Sequence, residues 1–431
     1  MAKSQKLIVS TMILLYNIAI RLYQFSIFLF SFFYEKAKLW RSGRKDIFKK
    51  IKQEIDVSKK TIWIHCSSLG EFEQGRPIIE QIKKDLPDVQ ILLTFFSPSG
   101  FEIRKNYQQA DYIFYLPLDT KKNAQQFIQL LQPQLVVFVK YEFWYHYLNE
   151  LKIKQIPIIL VSAVFREQQV FFKWHGSLFR KMLSFFEVIF VQDENSKNLL
   201  TRHFQGKIIV AGDTRIDRVL AIAKKKKAFP LVNKFADGSK VLVIGSSWPP
   251  DEDILLKYIN QNKDSNWKYI VAPHEIDTAH LEQIEKKLSI ASIRFSQLNQ
   301  SNYKENKVLI IDNIGMLSSL YQYGKLAYIG GGFGAGIHNI LEPMAFHLPV
   351  IFGPKYQKFE EANKQIASGG GFCIHNFNDF QKTMQLLNNK NAYEKSSQAV
   401  QTYLEDEQGA TDQIMKLITK IIEQEAKRSD R

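Results

Sequence analysis

The sequence predicts an α/β protein with two doubly wound parallel sheets, and three observations support this class. From about residue 60 onwards, short apolar runs of strand length alternate with amphipathic stretches of helix length, which is typical of parallel βαβ units. That alternation breaks at 221–240 and then resumes. The composition, with 45% apolar and 23% charged residues over 431 positions, is that of a globular protein long enough for two domains.

The first half of the chain contains six apolar runs that predict strands. They lie at 61–66, 90–95, 135–139, 157–162, 187–191 and 207–210. Helix-length segments separate these runs, among them 72–86, 120–132 and 193–203. Because a helical crossover returns the chain to the same edge of a sheet, we expect the strands to pair in parallel.

The second half repeats this pattern after the break. Strands are predicted at 240–245, 267–272, 307–311, 325–330 and 348–353. Helices are predicted near 252–262, 278–289, 315–323, 339–347 and 359–368, and helical periodicity fills most of 377–427. The break itself combines a lysine run, a proline and a glycine without a clean period, which is typical of a linker. The predicted organisation is an N-terminal segment at 1–40, a first domain at 41–220, a linker at 221–240, a second domain at 241–405 and a C-terminal helix at 406–431.

The N-terminal segment is predicted to attach the chain to a membrane. Residues 7–33 contain one full charge, Arg21, and exceed the roughly 20 residues that span a bilayer. The formal net charge is +15, and residues 1–60 contain 13 Lys or Arg against 4 Asp or Glu. Because this basic excess adjoins an apolar run, an anionic membrane surface explains it better than nucleic acid does.

The mode of attachment has several alternatives. The segment either spans the bilayer, with Arg21 snorkelling to the surface, or lies in the interface. An amphipathic helix packed on the protein itself is a further alternative. A cleaved secretory signal is disfavoured, because no small-residue cleavage pattern follows the apolar run. The basic stretch that comes next, with Tyr34 and Trp40, suits a cytoplasmic juxtamembrane segment.

The two cysteines exclude two common classes of small-protein architecture. Cys66 and Cys373 lie far apart and lack the spacing of metal ligands. Neither a disulfide framework nor a structural zinc site is therefore expected, and the cysteine usage fits a reducing compartment.

The loop after the first predicted strand contains a candidate catalytic residue. It reads HCSSLGEFEQG at 65–75, and Glu71 stands where the strand passes into a helix. A carboxylate there faces the crevice at the carboxyl ends of the strands, where it can accept a proton from an attacking hydroxyl. The alternative is an acidic residue that stabilises the first helical turn, and spacing alone slightly favours this alternative.

A glycine-rich loop in the second half is predicted to bind an anion. The segment GGGFGAGIHNILEP at 330–343 joins a predicted strand to a helix that begins near Asn339. Backbone amides at such a helix start favour a nucleotide phosphate, and Glu342 can accept hydrogen bonds from a ribose. The segment lacks the Gly-Lys-Ser/Thr of a P-loop and comes too late for a Rossmann dinucleotide fingerprint.

Other polar residues follow strands of both predicted sheets. In the second half these are Ser246 and Ser247 in GSSWPPDE, His274 in APHE and Gly315 in NIGML. In the first half they are Glu142 and Trp144 in KYEFW, and Ser162 and Arg166 in SAVFR. The serines can contact a phosphate or carboxylate, with helix capping as the alternative, and an arginine at this edge can engage an acidic ligand.

With these residues in place, the chain resembles the Kdo transferases. These inner-membrane enzymes move 3-deoxy-D-manno-oct-2-ulosonic acid (Kdo) from CMP-Kdo onto a lipid A precursor. The resemblance covers essentially the whole chain, and its combination of motifs is specific although each motif alone is not. In order, the motifs are Ser68-Leu69-Gly70-Glu71, Glu142-x-Trp144, Ser162-Ala163-x-Phe165-Arg166, Gly212-Asp213-Thr214, Gly245-Ser246-Ser247, Pro273-His274 and Gly336-x-His338-Asn339-x-Leu341-Glu342.

The resemblance implies a GT-B fold, in which two Rossmann-like domains face each other across a cleft. The first domain would bind the acceptor and the second the nucleotide sugar, on the cytoplasmic face of the inner membrane. Glu71 would be the general base of an inverting transfer that needs no metal or cofactor. CMP contacts are expected at Pro273 and His274, at Gly315, Met316 and Leu317, at Asn339, Ile340, Leu341 and Glu342, and beside Ser246 and Ser247. Glu142, Trp144 and Arg166 are expected on the acceptor side.

Two motifs depart from the family pattern. Ala272-Pro273-His274 stands where Pro-Arg-His is common, so a basic contact to CMP is either missing or supplied elsewhere. On the acceptor side, Glu-Phe-Trp-Tyr-His at 142–146 stands where Glu-Leu-Trp-Pro-Asn is familiar. The alternative functions are a GT-B transferase that uses another nucleotide sugar, and a non-catalytic membrane scaffold that binds a nucleotide.

Overall fold

The chain forms two compact units, each built on one parallel sheet. The computed structural model describes the backbone of residues 2–429 and the side chains of residues 9–425 and 427. The first unit comprises Met1–Asp217 and Gln408–Arg431, and the second comprises Arg218–Glu407.

The sheet of the first unit has seven parallel strands. They are β1 (Thr61–His65), β2 (Gln90–Phe95), β3 (Tyr112–Tyr115), β4 (Leu135–Val139), β5 (Ile158–Ala163), β6 (Val188–Val191) and β7 (Lys207–Val210). Their order is β3-β2-β1-β4-β5-β6-β7. The central strands are buried along their whole length, because helices cover both faces of the sheet, and this explains their continuous apolar runs.

The sheet of the second unit also has seven parallel strands. They are β8 (Lys240–Ser247), β9 (Trp267–Pro273), β10 (Ser292–Arg294), β11 (Val308–Ile310), β12 (Leu326–Ile329), β13 (Val350–Phe352) and β14 (Gly371–Cys373). Their order is β10-β11-β9-β8-β12-β13-β14. Both sheets therefore have the order of a doubly wound Rossmann-like domain, as the sequence predicts.

The helices cover the two faces of these sheets. In chain order they are α1 (Ala2–Phe30), α2 (Glu35–Ser42), α3 (Ile47–Glu54), α4 (Leu69–Asp85), α5 (Pro98–Arg104), α6 (Lys121–Leu131), α7 (Tyr145–Ile153), α8 (Ser177–Leu183), α9 (Glu194–Thr201), α10 (Thr214–Lys224), α11 (Pro230–Ala236), α12 (Pro249–Gln261), α13 (Thr278–Lys287), α14 (Leu317–Leu320), α15 (Leu341–Met344), α16 (Glu360–Ser368), α17 (Phe377–Asn388), α18 (Lys390–Glu407) and α19 (Ala410–Ser429).

The C-terminal helix α19 belongs to the first unit. Its buried face includes Ile414, Ile418 and Ile422, which join the same apolar core as β1, β2 and β4. The carboxylate of Asp217 accepts hydrogen bonds from the backbone N–H groups of Gly409 and Thr411, both over 2.6 Å, and so fixes where α19 begins.

The segment predicted as a linker, 221–240, is mostly helical. The division between the units falls within α10, and α11 packs its buried Val232 and Phe235 in the second unit. The backbone N–H of Phe229 also donates to the hydroxyl of Tyr323 over 2.7 Å. The sequence pattern does not reveal this structure, because a helix as short as α11 has too few turns for a helical period to appear.

Several short elements differ from the predictions. The strands β3, β10 and β14 were not predicted; each has three or four residues and lies at an edge of its sheet, where pairing with one neighbour determines the conformation. The predicted helix at 339–347 is reduced to α15, because the chain turns directly after it, where His347 has a φ of 58° and its backbone N–H donates to the carbonyl of Met344 over 2.7 Å. The helix predicted at 315–323 is α14, followed by a 3₁₀ turn at Tyr321–Tyr323.

Candidate active site

Glu71 and Glu142 follow the two strands at which the first sheet reverses its winding. β1 and β4 are neighbours in the middle of this sheet, and the chain leaves them in opposite directions. Ligands of doubly wound domains bind outside the carboxyl ends of the strands at such a switch point. Glu71 lies in the loop and first helical turn after β1, and Glu142 lies in the loop after β4.

Glu71 occupies the third position of α4 and closes a capping box with Ser68. Its Oε2 accepts hydrogen bonds from the backbone N–H of Ser68 over 2.8 Å and from its hydroxyl over 3.1 Å. The capping alternative raised by the sequence is therefore correct as a statement of geometry. It does not exclude a chemical role, because the same carboxylate stands at the switch point.

Glu142 is a buried carboxylate whose hydrogen bonds converge on one oxygen. The residue is 5% exposed. Its Oε2 accepts from the Ser67 hydroxyl over 2.6 Å, from Trp144 Nε1 over 2.6 Å and from His65 Nε2 over 3.0 Å. The structure thus brings Glu142 and Trp144 together as the sequence predicts, and it adds His65 and Ser67.

The two carboxylates have pKa values shifted in opposite directions. Burial, and then the negative charge of Glu142, raise the pKa of Glu71 to about 8, although the bonds from Ser68 and the charge of Lys140 oppose this. Burial also acts to raise the pKa of Glu142, but the hydrogen bonds from its three donors outweigh burial and hold that pKa below its usual value. A pair of carboxyl groups separated in this way is a common arrangement for general base catalysis.

The other residues predicted on the acceptor side are less closely connected to this pair. The indole of Trp144 packs against Phe96, with 4.5 Å between ring centroids. Arg166 is exposed in the loop after β5, where its backbone N–H donates to Gln169. Ser162 is buried and has a φ of 54°, a left-handed conformation that costs free energy in a non-glycine residue and marks this strand end.

The motif at 212–214 contributes structure at the same edge. Thr214 donates its hydroxyl hydrogen to the backbone carbonyl of Gln74 in α4 over 2.6 Å. Asp213 forms an ion pair with Arg215 over 2.6 Å. Although burial acts to raise it, the pKa of Asp213 is lowered by the neighbouring charge and hydrogen bonds of Arg215. The motif therefore joins α10 to α4, close to the start of the helix that holds Glu71.

In the second unit the switch point lies between β8 and β12. Ser246 and Ser247 are the last two residues of β8, and the loop after β12 is the glycine-rich segment. Ser247 is fully buried, and its hydroxyl donates to Glu252 over 2.9 Å. Its side chain therefore supports α12, and a contact of this residue with a ligand stays a prediction. Ser246 has a φ of 53°, so its backbone is strained at the end of the strand.

Asp251 is a structural residue that sequence reasoning did not single out. It is 1% exposed and accepts three hydrogen bonds: from the backbone N–H of Trp248 over 3.0 Å, from the Tyr328 hydroxyl over 2.7 Å and from the backbone N–H of Gly331 over 2.9 Å. Its carboxylate therefore joins the loop after β8 to the glycine-rich loop. The signal in the sequence is its place three residues after Trp248, at the start of a helix.

The glycines of the second loop are required by close backbone contacts. A Cβ on Gly330 would lie 2.1 Å from the carbonyl oxygen of Ser246, and one on Gly332 would lie 2.6 Å from the backbone of Gly353. Gly331 has a φ of 91°. The run of three glycines is thus explained by packing between loops, independently of any anion.

Three aromatic rings form a stack at this edge. The ring of His274 lies over Trp248, with 4.4 Å between centroids, and over His338, with 4.6 Å. Trp248 Nε1 donates to His338 Nε2 over 2.9 Å, so these two rings lie side by side beneath His274. Burial, and then the neighbouring His274, lower the pKa of His338. The stack fixes His274 at the end of β9, next to Pro273.

The remaining residues of the predicted nucleotide site divide into two kinds. The side chains of Met316, Ile340 and Leu341 are buried in the core, so only their backbone groups are candidates for ligand contacts. Gly315, with a φ of 90°, begins the turn before Leu317 and α14. Asn339 accepts from the backbone N–H of Leu341 over 3.0 Å and donates to Glu342 over 3.2 Å. These bonds fix the start of α15, which is too short to provide the predicted helix N-terminus.

One group of described residues has the spacing of cation ligands. Candidate ligand atoms of Glu275, Asp277 and His280 lie within 4.8 Å of one another. However, the ring nitrogens of His280 are bonded to Glu252, over 2.9 Å, and to the backbone carbonyl of Glu275, over 3.0 Å. Asp277 caps α13. The trio therefore has a structural explanation at the start of this helix.

The comparisons with known proteins connect this geometry with one family. Residues 42–218 match the family model described as 3-deoxy-D-manno-octulosonic-acid transferase (kdotransferase). The chain is 30% identical over 364 residues to the 3-deoxy-D-manno-octulosonic acid transferase of Aquifex aeolicus, covering 82% of this chain and 94% of that protein. It is 27% identical over 432 residues to a bifunctional glycosyltransferase/methyltransferase of Fusobacterium nucleatum, covering 96% of this chain and 64% of that protein.

Solved structures show the same fold at low sequence identity. The UDP-GlcNAc 2-epimerase of Neisseria meningitidis, in a complex with UDP-GlcNAc, superposes with a TM-score of 0.58 at 17% identity, covering 84% of this chain and all of that one. The two Rossmann-like domains are therefore of the GT-B type.

Proposed function

Because the chain belongs to the family of 3-deoxy-D-manno-octulosonic acid transferases and is thus a glycosyltransferase, we propose that it transfers Kdo from CMP-Kdo to a lipid A precursor. The observation that carries this proposal is the pair of Glu71 and Glu142 at the switch point of the first sheet. Both residues lie within 42–218, the segment that matches the family model. One carboxylate is held ionised by three donors, while its neighbour has a raised pKa and so has the basicity to accept a proton.

In the proposed reaction Glu71 is the general base. It accepts the proton of a hydroxyl group on a lipid A sugar while that oxygen attacks the anomeric carbon of Kdo. The new carbon–oxygen bond forms as the bond to the phosphate oxygen of CMP breaks, so CMP leaves and the configuration inverts. A base whose pKa lies near the working pH is effective in such a transfer, and the proposed step uses no metal ion or cofactor.

The proposed CMP site lies at the carboxyl edge of the second sheet. Residues at the ends of β8 and β9 and in the segments after β9, β11 and β12 supply it: Ser246, Pro273 and His274, Gly315 to Leu317, and Asn339 to Glu342. The ring of His274 is held by the aromatic stack, and the loops around it expose backbone groups rather than the buried apolar side chains. This arrangement supports recognition of a nucleotide through its polar edges and a flat ring.

We propose that α1 attaches the protein to the cytoplasmic face of the inner membrane by lying in the interface. Val9–Phe30 is long and apolar enough to cross a membrane. In the middle of this helix, however, Tyr16 donates to Asp119 over 2.5 Å and Asn17 bonds to His146 over 2.6 Å. A helix that spans the bilayer cannot keep these contacts with a globular domain outside it.

The opposite face of α1 supports this placement. One helical stripe is exposed at 45–60% of each side chain, and it consists of Leu15, Ile18, Leu22, Phe25 and Leu29. Basic residues of α2, α3 and the turn between them follow directly along the chain, including Lys38, Arg41, Lys45 and Lys49. An apolar face inserted among acyl chains, next to cations at the headgroups, is the arrangement of an interfacial helix.

The transfer reaction is the direct test of the proposal. We expect the purified protein to add Kdo to tetraacyl lipid A precursor when CMP-Kdo is generated enzymatically in the same tube, with the product identified and its Kdo residues counted by mass. Folded protein that transfers sugar only from a UDP-sugar would contradict the donor assignment. Protein that binds CMP but transfers nothing would favour the scaffold alternative.

The attachment through α1 has its own test. We expect the double variant Leu15→Gln/Leu22→Gln to bind anionic phospholipid vesicles at least about 100-fold more weakly in co-sedimentation, because each leucine loses well over 1 kcal/mol of apolar burial. The matched control is the double variant Ile103→Gln/Leu386→Gln. It changes two aliphatic side chains that lie outside α1 and are 58% and 51% exposed, respectively. Equal binding by the two double variants would contradict the proposed membrane face.

A further inference from the structure

His65 is a buried histidine whose two ring nitrogens both have partners. It is the last residue of β1 and is fully buried. Its Nδ1 lies 2.8 Å from the hydroxyl and 3.1 Å from the carbonyl oxygen of Thr94, its register partner on β2. Its Nε2 lies 3.0 Å from Glu142 Oε2. The ring therefore connects a neighbouring strand with the carboxylate beyond β4.

The contact with Glu142 determines which ring nitrogen of His65 is a donor. A carboxylate oxygen can only accept, and Glu142 Oε2 lies 3.0 Å from His65 Nε2, so the ring hydrogen between these two atoms is on Nε2. Trp144 Nε1 lies 3.2 Å from the same ring nitrogen but only 2.6 Å from Glu142 Oε2, to which it donates. On the other side of the ring, the Thr94 hydroxyl accepts from Trp63 Nε1 over 2.7 Å and can donate to Nδ1 over 2.8 Å. A chain of hydrogen bonds thus runs from Trp63 through Thr94 and His65 to the carboxylate.

This chain of hydrogen bonds ends at Glu142, and the surroundings of Glu142 stabilise its carboxylate as an anion. Nε2 of His65, the indole of Trp144 and the hydroxyl of Ser67 all donate to one oxygen of Glu142. A carboxylate buried with three donors is stabilised in its ionised form. Its neighbour Glu71 is bonded only through one oxygen, to Ser68, in the hydrogen bonds that the structure shows.

We infer that His65 is a positioning residue, which acts by donating its Nε2–H to Glu142 and so holding Glu142 as an anion whose charge strengthens Glu71 as a base. This inference rests on the proposed function, because it assigns His65 a part in the reaction that Glu71 performs. His65 itself is fully buried, so it acts on the reaction through Glu142. The sequence motifs did not include it, although it directly precedes the loop that leads to Glu71.

Charged groups other than Glu142 also affect the pKa of Glu71. The charge of Lys140, at the end of β4, opposes that of Glu142 and lowers the pKa of Glu71. The charge of Glu71 in turn acts on Cys66, directly after β1, and on Tyr141, in the loop after β4. Among the charged and titratable groups near Glu71, the one that His65 is hydrogen-bonded to is Glu142. A change at His65 therefore acts on Glu71 through that carboxylate.

The pH profile of kcat/KM tests the inference, because a merely structural residue would lower activity without moving the profile. We expect His65→Leu, which removes the donor, to let Glu142 take up a proton. The charge beside Glu71 is then lost, the base is weaker, and the acid limb of the profile moves to lower pH by about one unit or more. The plateau should fall about tenfold.

A conservative variant provides the matched comparison. The amide of His65→Gln can present an N–H near the position of Nε2, so we expect it to keep the acid limb near the wild-type pH. Thr94→Val, which removes the hydroxyl that lies 2.8 Å from Nδ1, should give a shift between those of the two His65 variants. Calorimetric titration with CMP, whose proposed site is in the other unit, and thermal unfolding establish that each variant is folded.

The outcomes separate this inference from the proposed function. A folded His65→Leu protein that loses rate but keeps the wild-type acid limb would overturn the role of His65. If His65→Leu does not fold, Thr94→Val decides instead. An acid limb that moves to lower pH in Thr94→Val supports the inference, and an acid limb that stays at the wild-type pH overturns it. Transfer that survives in Glu71→Gln would overturn the assignment of the base itself, whatever the His65 variants show.

Discussion

Replacing Glu71 by glutamine is expected to lower kcat/KM for Kdo transfer by about 10²- to 10⁴-fold, the usual contribution of a general base. The folded structure should survive, because the carbonyl oxygen of glutamine can still accept from Ser68 and keep the capping box closed. The measurement is the initial rate of transfer to the lipid acceptor, together with the thermal unfolding of both proteins.

Two further variants separate the chemical role of Glu71 from its structural one. Glu71→Ala should be as inactive as Glu71→Gln but lose a further 0.5–2 kcal/mol or so of stability, because the start of α4 loses its cap. The control is Glu73→Gln on the same helix, which breaks a partly exposed ion pair with Arg104 over 2.9 Å and should leave the transfer rate unchanged. Wild-type activity in folded Glu71→Gln would refute the base assignment.

The raised pKa of Glu71 also gives the wild type and Glu71→Gln different pH dependences of stability. Its folded value of about 8 exceeds its ordinary value of 4.5, so the folded state binds the proton more tightly than the unfolded state. The contribution of this group to stability is therefore fully present below pH 4.5 and is lost as the pH rises through about 8. Across that range the wild type should lose stability relative to Glu71→Gln, and the difference between their melting temperatures measures this.

Replacing Asp251 by alanine is expected to destabilise the second unit by about 3–5 kcal/mol, because three buried donors lose their acceptor at once. In a unit of this size such a loss lowers the melting temperature by about 10 °C. The affinity for CMP should fall as well, because the loop after β8 and the glycine-rich loop are no longer joined. Thermal unfolding and calorimetric titration with CMP measure the two effects.

The control for Asp251 lies two residues further along α12. Asp253 is an exposed aspartate that pairs with Lys287 over 2.7 Å, and Asp253→Ala should change stability by no more than about 0.5 kcal/mol. If the two alanine variants melt at the same temperature, the three hydrogen bonds to Asp251 do not stabilise the unit as we describe.

Local sequence patterns were sufficient for most of the fold. The central strands were predicted within a residue or two, because strands buried on both faces must be almost continuously apolar. The edge strands β3, β10 and β14 have only three or four residues each, so their runs are too short to stand out, and pairing with a neighbouring strand determines their conformation. Two helices also depend on more than their own sequence. The helix α15 ends before a turn in which His347 has a φ of 58°, and the position of α19 is determined by its contacts with the first sheet.

In the candidate site, too, the positions of single residues were predictable from the sequence, whereas their contacts were not. Glu71, Glu142 and His274 could each be placed at a strand end from the sequence, because parallel strands end at one edge and their loops are polar. The contacts between these residues and others at the same edge could not be predicted from the sequence. His65 and Glu142 are 77 residues apart and touch because β1 lies beside β4, and Asp251 reaches Gly331 because β8 lies beside β12.

By itself, then, the sequence determined two parallel sheets, an apolar N-terminal helix and a carboxylate at the first strand-to-helix turn. Only the tertiary structure decided that Ser247 supports the core, that the three glycines serve backbone packing and that α1 lies along the first unit. The physical reason is that strand runs and turns are set by neighbouring residues, whereas hydrogen bonds between loops depend on the order of strands in the sheet, which no local period encodes.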